Sequence, residues 1–467
     1  MKNKTTLDDP EKIIRSVVDA CTDCDICRFL MDTSCLVFPE IYRLWDKESE
    51  SGEKISSHEL RRLVDRCNFC ALCPCPNIRA DIMAAKTGFI ERKGLKPEIR
   101  LLEDVAMLGK LCGCLPQLTN AIFRNPKIGS VVKQTMGIHP QRQIPEFPKR
   151  DFPSWAKRHH LHCKPETGSG RKVAYFAGCT ANYLFPDVAI AAVSLLRANG
   201  IEVWYPPQQC CGMPTFLEGD RKRTLKFTSS NLSNLCEAAE EGYDIVCSCP
   251  TCGFMLKNLL KEGAYYSSEY QEAEGSDQDV IVVPERSTAD DQGKRKMRRL
   301  KKSIYHNILK DDGYFACLSA MERIRTGDHT VDFGHYLINL DRAGALSTHF
   351  GRMSGRMVYF APCHLREQNI GRPYLELLRK IPGLTIEPID DNLFCCGMAG
   401  IMGFKRDFHD DSVTLGHQLM EKIRTMEPDG IVTDCLSCKL QFRQLTPYEV
   451  FHPLEIFQRS YKQRVSC

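Results

Sequence analysis

The feature that most narrows what this chain can become is a pattern of five cysteines that occurs twice. RKVAYFAGC ends on Cys179, QQCCG follows with Cys210 and Cys211, and CSCPTC closes the unit with Cys249 and Cys252. Further on, RMVYFAPC ends on Cys363, LFCCG brings Cys395 and Cys396, and DCLSC supplies Cys435 and Cys438. Matching cysteines lie 184 to 186 residues apart, so the register holds across the whole unit and the chain carries two copies of one supersecondary design.

Each copy reads as an alternation of strand and helix. Short apolar runs (Val173–Phe176, Met357–Phe360) predict buried strands, followed by helical patterns at Val188–Ala198 and Tyr374–Lys380 and second strands at Ile201–Trp204 and Leu384–Ile386. After the CCG turn come longer helices (Arg221–Glu240, Asp411–Thr425) and third strands (Asp244–Cys247, Gly430–Thr433) that run into CxxC. Strands alternating with helices imply a parallel, helix-covered sheet, hence an α/β fold. Ligands of such sheets gather beyond the carboxyl ends of strands, and Cys179, Cys249, Cys363 and Cys435 each follow a predicted strand.

Residues 1–160 read instead as an all-helical domain, with helical stretches at Asp9–Ala20, His58–Val64, Asn77–Ala85 and Glu98–Leu111 and a proline-rich, extended linker at Pro140–Ser154. The expected organisation is therefore a helical unit with its linker (1–160), a first repeat (171–262), a connector (263–355) and a second repeat (356–467). Within the connector, helices are expected around Arg298–Leu309 and Phe315–Arg325, and the basic run Lys294–Lys302 (KRKMRRLKK) reads as a solvated insertion.

Twenty-five cysteines in 467 residues need a chemical reason. The opening MKNKTTLDDP has no apolar core, so no secretory leader and no oxidising compartment are expected, which removes disulfides and points to metal. The charge, 63 basic against 59 acidic residues, is too balanced for a nucleic-acid binder. No apolar run approaches a membrane span, since Glu103, Asp104 and Lys110 interrupt the best candidate at Leu101–Phe123.

Two clusters near the start sharpen the metal reading. CTDCDIC holds Cys21, Cys24 and Cys27 with Cys35 later; CNFCALC holds Cys67, Cys70 and Cys73 with Cys75 close behind. A C-x2-C-x2-C run places three thiolates around one loop and leaves the fourth vertex of a cubane cluster to a distant cysteine, as in two-cluster ferredoxins. Crossed ligation then predicts Cys21, Cys24, Cys27 and Cys75 on one cubane 4Fe–4S cluster and Cys67, Cys70, Cys73 and Cys35 on the other. Paired CxxC elements also suit zinc, but zinc seldom uses a third cysteine at the next interval. In the repeats, five cysteines are too many for one tetrahedral ion, and Gly212 and Gly397 after each vicinal pair would let the backbone turn tightly and approach a cluster. Cys112, Cys114, Cys163, Cys236, Cys247, Cys317 and Cys467 form no complete ligand pattern, and Cys112 and Cys114, past a predicted helix, read as core.

The paired Cys…CCG…CxxC units resemble the cysteine-rich CCG domains of heterodisulfide reductase catalytic subunits. The order of cubane region then two CCG units resembles the family of the C subunits of anaerobic glycerol-3-phosphate dehydrogenases, on KVAYFAGCTANY, CCGMPTFLEGD, PCHLREQNIGRP and GFKRDF. That resemblance implies up to two non-cubane 4Fe–4S clusters at the five-cysteine sites beside the two cubanes. It also implies an electron-transfer subunit, cytoplasmic at the inner face of the membrane, between an FAD-dependent dehydrogenase or reductase subunit and a quinone or membrane surface. No flavin-binding glycine turn is present, so substrate oxidation belongs to another chain. The alternative is a disulfide reductase that cleaves its substrate at the non-cubane sites; a zinc-stapled scaffold is the third class. His364, beside Cys363, resembles a histidine next to a cluster ligand in heterodisulfide reductases and is the candidate for proton chemistry, with local hydrogen bonding as its plainer role. His452 in VFHPLEIF is expected to be structural.

Overall fold

The computed structural model describes residues 9–70, 72–165, 170–274, 279–289, 295–305, 310, 311, 313–389 and 394–465. Its strands are β1 (Lys172–Phe176), β2 (Glu202–Trp204), β3 (Asp244–Cys247), β4 (Val280–Ala289), β5 (Arg295–Lys301), β6 (Thr330–Asp332), β7 (Gly355–Phe360), β8 (Leu384–Pro388), β9 (Gly430–Thr433) and β10 (Glu449–Phe451). They form two four-stranded sheets in the orders β2-β1-β3-β6 and β8-β7-β9-β10, every neighbouring pair parallel, and an antiparallel hairpin of β4 with β5. The fold is α/β, as the repeat requires. Central strands β1, β3, β7 and β9 are buried on both faces, which is why they read as unbroken Val, Ile and aromatic runs rather than as alternating ones.

Each sheet has a fourth strand that the apolar patterning did not reveal. In the second unit β10 follows β9 after one helix (Leu436–Leu445). In the first, residues 253–329 intervene before β6 pairs with β3, Ile245 opposite Thr330. The expected connector at 263–355 is thus not a connector throughout: Thr330–Asp332 and the helix Phe333–Arg342 return to complete the first unit. Three residues of strand, TVD, are too short for a periodicity to register.

The two units pack by exchange. Helix Pro186–Ala198 of the first lies on the final helix, Pro453–Val465, of the second, and Phe333–Arg342 lies on Pro373–Leu378. One apolar core runs through both, with Tyr175, Phe333, Tyr359 and Tyr374 fully buried. Reciprocal contact between corresponding elements is what a twofold relation produces. At Gly334 a Cβ would come within 2.9 Å of the Tyr374 ring, so glycine there sets how closely the units approach.

The region before β1 is helical, and among its described residues the sole β pairing is a bridge between Ile138 and Lys405. The expected helix at Glu98–Leu111 is two, Pro97–Leu102 and Val105–Gly113: Asp104 turns out of the first and caps the second by accepting from the Met107 amide at 2.9 Å, while Glu103 is buried against Arg223. The proline-rich stretch is extended to residue 150 but becomes helix at Phe152–Arg158, and it is a strap rather than a free linker, because Arg142 is fully buried and donates to Gln441 Oε1 at 2.6 Å.

In the connector, the expected helix at Arg298–Leu309 is wrong. Arg295–Lys301 is β5, paired with the β-branched run of β4, and only Lys302–Tyr305 is helical; residues 306–309 lie outside the described ones, as do Lys294 and Cys467. The second expected helix lies at Ala320–His329 rather than Phe315–Arg325. Among the described residues no helix is long and apolar enough to cross a membrane.

Candidate metal centres

The first triple sits where helix Pro10–Cys24 ends: Asp25 takes a left-handed conformation (φ 55°) and its amide donates to the Cys21 carbonyl, and a short helix restarts at Cys27. The second triple makes a similar turn at Phe69 (φ 52°), steadied by the Cys70 amide donating to Asn68 Oδ1. Phe69 is an uncommon side chain for that conformation, and it is held there by Arg79 stacked over its ring at 4.4 Å and by an edge contact with Phe216.

The fourth members cross over. Burial pushes the Cys21 thiol up to about 12, and its neighbouring thiols Cys27, Cys75, Cys24 and Cys35 push the same way; Cys27 is raised by burial, then Cys75 and Cys24. Cys75, the last residue before helix Pro76–Lys93, therefore lies with the first triple. Cys73 is pushed up to about 12 by burial, then by Cys67 and Cys35, and Cys70 well up by burial, then by Cys35. Cys35 itself is pushed up to about 11 by burial, with Cys67 and then Cys27 adding to it, so it stands between the triples, and its sulfur accepts from the Val37 amide at 3.3 Å. Cys363 is the next group acting on Cys70, and Asn68 Nδ2 donates to Cys395 Sγ at 3.7 Å, so the second set adjoins the second repeat.

In the first repeat Cys179 Sγ and Cys210 Sγ stand 3.6 Å apart, and hydrogen bonds from Cys210 and Cys252 hold Cys211 down to about 6. In the second, Cys395 and Cys438 hold Cys396 well below the usual thiol range, while burial pushes Cys363 up to about 12, with Cys396 and Cys435 adding to it. All ten sulfurs are buried or half-buried, and no described cysteine is in a disulfide. Both quintets, except the fully enclosed Cys210, line one cavity of about 90 Å³ together with Asn68, Cys70, Thr251 and His364.

Gly212 and Gly397 have φ of 94° and 83°, so the tight turn is as expected. What the missing Cβ admits is the following helix. A Cβ on Gly397 would lie 2.1 Å from the Ser412 carbonyl oxygen, and one on Gly416 would lie 2.6 Å from the Cys396 carbonyl oxygen. Cys112 is half-buried and Cys114 exposed, so neither belongs to a core as their position suggests.

His364 is buried and uses both ring nitrogens, Nδ1 with Thr251 Oγ1 at 3.0 Å and Nε2 with the Phe69 carbonyl at 3.2 Å, and it stacks on Phe254. A carbonyl only accepts, so Nε2 carries the proton and Thr251 donates to Nδ1; burial holds the ring neutral by lowering its pKa to about 4. His364 thus joins the helical region and both repeats, and moving a proton would break one of these bonds. His452 is wholly buried: Nε2 donates toward the carbonyls of Ser248 and Asp434, the residues just before Cys249 and Cys435, and Nδ1 accepts from the Leu454 amide. Asp332 holds the equivalent place in the first unit, accepting from the amides of Gly334 and His335.

Sequence reasoning passed over the polar groups that lock this site together. Glu218 and Lys405, nearly buried, pair at 3.0 Å between the first repeat and GFKRDF of the second. Arg79 bridges the Cys70 carbonyl and Glu367. Ordinary polar residues far apart in the chain carry no local signal of pairing.

Among the described residues no group of three or more His, Cys, Asp or Glu side chains is arranged to hold a lone metal ion. The donor sets are all sulfur, crowded and buried, so that neighbouring thiolates destabilise one another; positive iron held among them would relieve that repulsion. The residues fit iron–sulfur clusters on that ground.

Comparison with known proteins agrees. The cysteine-rich domain family CCG matches residues 173–257 and 357–443. The C subunit of anaerobic glycerol-3-phosphate dehydrogenase from Escherichia coli K12 is 23% identical over 78% of this chain and 78% of its own length. The B subunit of fumarate reductase (CoM/CoB) from Methanothermobacter marburgensis is 25% identical over 62% of this chain and 47% of its own. An uncharacterised iron–sulfur protein of Methanocaldococcus jannaschii is 24% identical over 60% and 42%.

Proposed function

Since the cysteine-rich domain family CCG matches both repeats of this chain, we propose that it is an iron–sulfur electron-transfer subunit relaying electrons from an FAD-dependent dehydrogenase or reductase subunit to a membrane quinone. The observation that carries the reading is the order of the sulfur sets in space. Cys21, Cys24, Cys27 and Cys75 adjoin Cys67, Cys70, Cys73 and Cys35; these adjoin Cys363 and Cys395; and the second quintet shares its cavity with the first. Bound at these sets, two cubane and two non-cubane clusters would supply one-electron chemistry in steps short enough to chain together.

This chain's own residues keep the route defined. With Cys75 on the first triple and Cys35 on the second, each cubane would draw a ligand from the other's segment and the two sites would be held together. His364, Asn68 and Arg79 tie the second triple to the second repeat. At the opposite end Cys24 is exposed, beside exposed Ile26 and Phe29, and there we place the docking of the flavoprotein.

One observation favours a second reading: both quintets face one cavity, as a disulfide reductase needs, because the two sulfurs of a substrate lie only about 2 Å apart. The deciding experiment gives anaerobically purified, reduced protein a panel of disulfides and, separately, a soluble quinone analogue, with Cys396→Ser and His364→Ala beside wild type. Quinone reduction that needs Cys396 and tolerates His364→Ala supports the relay. Rapid disulfide cleavage requiring both residues, with no quinone reduction, overturns it.

A further inference from the structure

Exposed apolar side chains are concentrated on one stretch of this chain. Helices Val105–Gly113, Pro116–Arg124 and Pro126–Thr135 follow one another with short turns at Pro116 and Pro126. The second buries no residue and the third only Gly129. On them Leu111 is 66% exposed, Leu115 64%, Val131 62%, Leu118 58% and Ile128 53%, with Met107 alongside. A contiguous apolar surface of this kind marks an interaction site on a water-facing protein.

The charge says what covers it. From Val105 to Pro145 the chain has no Asp or Glu, against 59 in the whole sequence, while Lys110, Arg124 and Lys127 stand exposed among the apolar residues. Short helices with an apolar face and a rim whose charges are cationic apart from the Arg124–Glu146 ion pair match the boundary of an anionic bilayer, where hydrocarbon takes the leucines and phosphate headgroups meet the lysines. A protein partner would need a matching acidic rim without interrupting the apolar contact; a lipid surface has both by construction.

The stretch is anchored where it would matter. Gly109 lies against Tyr183, a Cβ there being 2.3 Å from the tyrosine Cβ, so Val105–Gly113 packs directly on the helix that carries Cys179. Arg223 pins its start through Glu103 and Asp104. A cavity of about 610 Å³ opens at its inner edge, between Met107, Lys110 and Leu111 on one side and Gln209, Lys226 and Phe227 on the other, and Gln209 directly precedes Cys210.

We propose that helices 105–135 are the seat by which this protein lies on an anionic lipid surface, bringing the first CCG unit to the bilayer. The proposal deepens the relay reading and rests on it for the purpose of the seat, though not for lipid binding itself. The test is flotation of the anaerobically purified protein with vesicles of phosphatidylcholine and phosphatidylglycerol, at low and high salt, against vesicles of phosphatidylcholine alone. Wild type is expected to float with the anionic vesicles and to be only partly released by salt. Leu111→Asp/Leu118→Asp/Val131→Asp should lower the bound fraction at least about tenfold, Lys110→Glu/Lys127→Glu should remove the preference for anionic lipid, and Lys296→Glu/Arg299→Glu in β5 should change nothing. Wild type that does not float, a triple variant that floats normally, or loss of binding in the β5 variant overturns the seat. So does protection of Leu118→Cys from thiol labelling by a flavoprotein but not by vesicles. None of these readouts depends on electron flow, and an unchanged visible spectrum in the triple variant shows that the metal sites survive it; the relay can therefore fail while the seat stands, and the reverse.

Discussion

Cys211 and Cys396 occupy the same place in the two CCG units, and each is held as the favoured thiolate by its vicinal partner and by the second cysteine of CxxC. Their surroundings differ. Around the second quintet stand Asn68 and Cys70 from the helical region and Arg142 from the strap. Around the first stand the acid-free helices, through Tyr183 and Gly109, and Phe315, which shares a core with Cys179, Cys210, Cys211 and Cys252. Two equivalent sites in unequal settings give the molecule a direction: the second unit neighbours the cubane sets, the first neighbours the apolar face. The comparison teaches that duplicated chemistry acquires polarity from what is inserted around each copy.

The largest expected effect tests that polarity. With the flavoprotein as electron source, Cys396→Ser should leave the N-terminal sets reducible and prevent reduction of both CCG sites, whereas Cys211→Ser should leave the second unit reducible and abolish output to a quinone analogue. Electron flux should fall at least about a hundredfold in both, and freeze-quench electron paramagnetic resonance separates them by which signals remain. Identical spectra in the two variants would mean that the units are filled in parallel, not in series. Full occupancy corresponds to about 16 iron atoms per chain.

The joint between the units comes next. Glu218 and Lys405 are 7% and 6% exposed in their side chains, so Lys405→Met alone strands a carboxylate in the interior and should cost about 3–5 kcal/mol in chemical denaturation. Glu218→Leu with Lys405→Met should recover most of it. If the single variant is neutral, water reaches the pair and the two units are not locked there.

Asp332 and His452, equivalent in position and opposite in chemistry, sharpen the comparison through pH. Burial pushes the Asp332 carboxyl up to about 6 from an ordinary 3.8, with the facing Lys257 acting the other way; Asp434, likewise pushed up by burial, stands opposite, and the hydroxyl of Tyr359 donates to it. A carboxyl raised on folding stabilises the fold fully below pH 3.8 and loses that contribution as pH rises through 6. Asp332→Asn, which can still cap the helix, should therefore be close to neutral near pH 4 and more stable than wild type by up to about 3 kcal/mol at pH 7. His452→Asn should show the opposite trend: the folded ring stays neutral down to about pH 4 while the unfolded one protonates below its ordinary 6.5, so wild type loses stability relative to the variant as pH falls from 6.5 to 4. A flat difference for Asp332→Asn between pH 4 and 7 would show that solvent or a counter-charge reaches the carboxyl.

How much of this was written in the chain depends on how local the cause is. The long helix Arg221–Glu240 and strands Asp244–Cys247 and Gly430–Thr433 fall on the residues that their apolar pattern indicates, because burial of one face or of both leaves a period or a run. Spacing and repetition single out the cysteines that the structure gathers at one cavity, all of the two quintets but Cys210. Thr330–Asp332 is not singled out, because a three-residue edge strand owes its place to pairing with β3 across an insertion. Arg298–Lys301, the start of the expected helix Arg298–Leu309, is strand instead: lysine and arginine favour helices, and the opposing β4 overrides that preference. Glu218 with Lys405, and Arg142 with Gln441, are long-range partners that no local window can reveal.

The smallest expected effect separates the two CCG turns themselves. Both glycines have positive φ, so an alanine at either costs about 1 kcal/mol in backbone conformation. The space differs. At Gly212 the new Cβ would meet the methyl groups of Thr228 and Thr224, at 3.2 and 3.3 Å, which can give by a few tenths of an ångström, and the Thr224 carbonyl oxygen at an ordinary 3.6 Å. At Gly397 it would fall 2.1 Å from the Ser412 carbonyl oxygen and 2.9 Å from the Gly416 amide nitrogen, both backbone of the helix His409–Thr425, whose Gly416 already lets Cys396 approach. That helix must move away, taking with it the Ser412 hydroxyl that donates to the Gly397 carbonyl at 2.7 Å. Gly397→Ala should thus be more destabilising than Gly212→Ala by about 1–2 kcal/mol, and it should displace Cys395 and Cys396 enough to lower iron retention at the second unit alone. Thermal melts with iron analysis after desalting check both. Equal losses would mean that strain at φ dominates and that the close helix is not what demands glycine in the second turn.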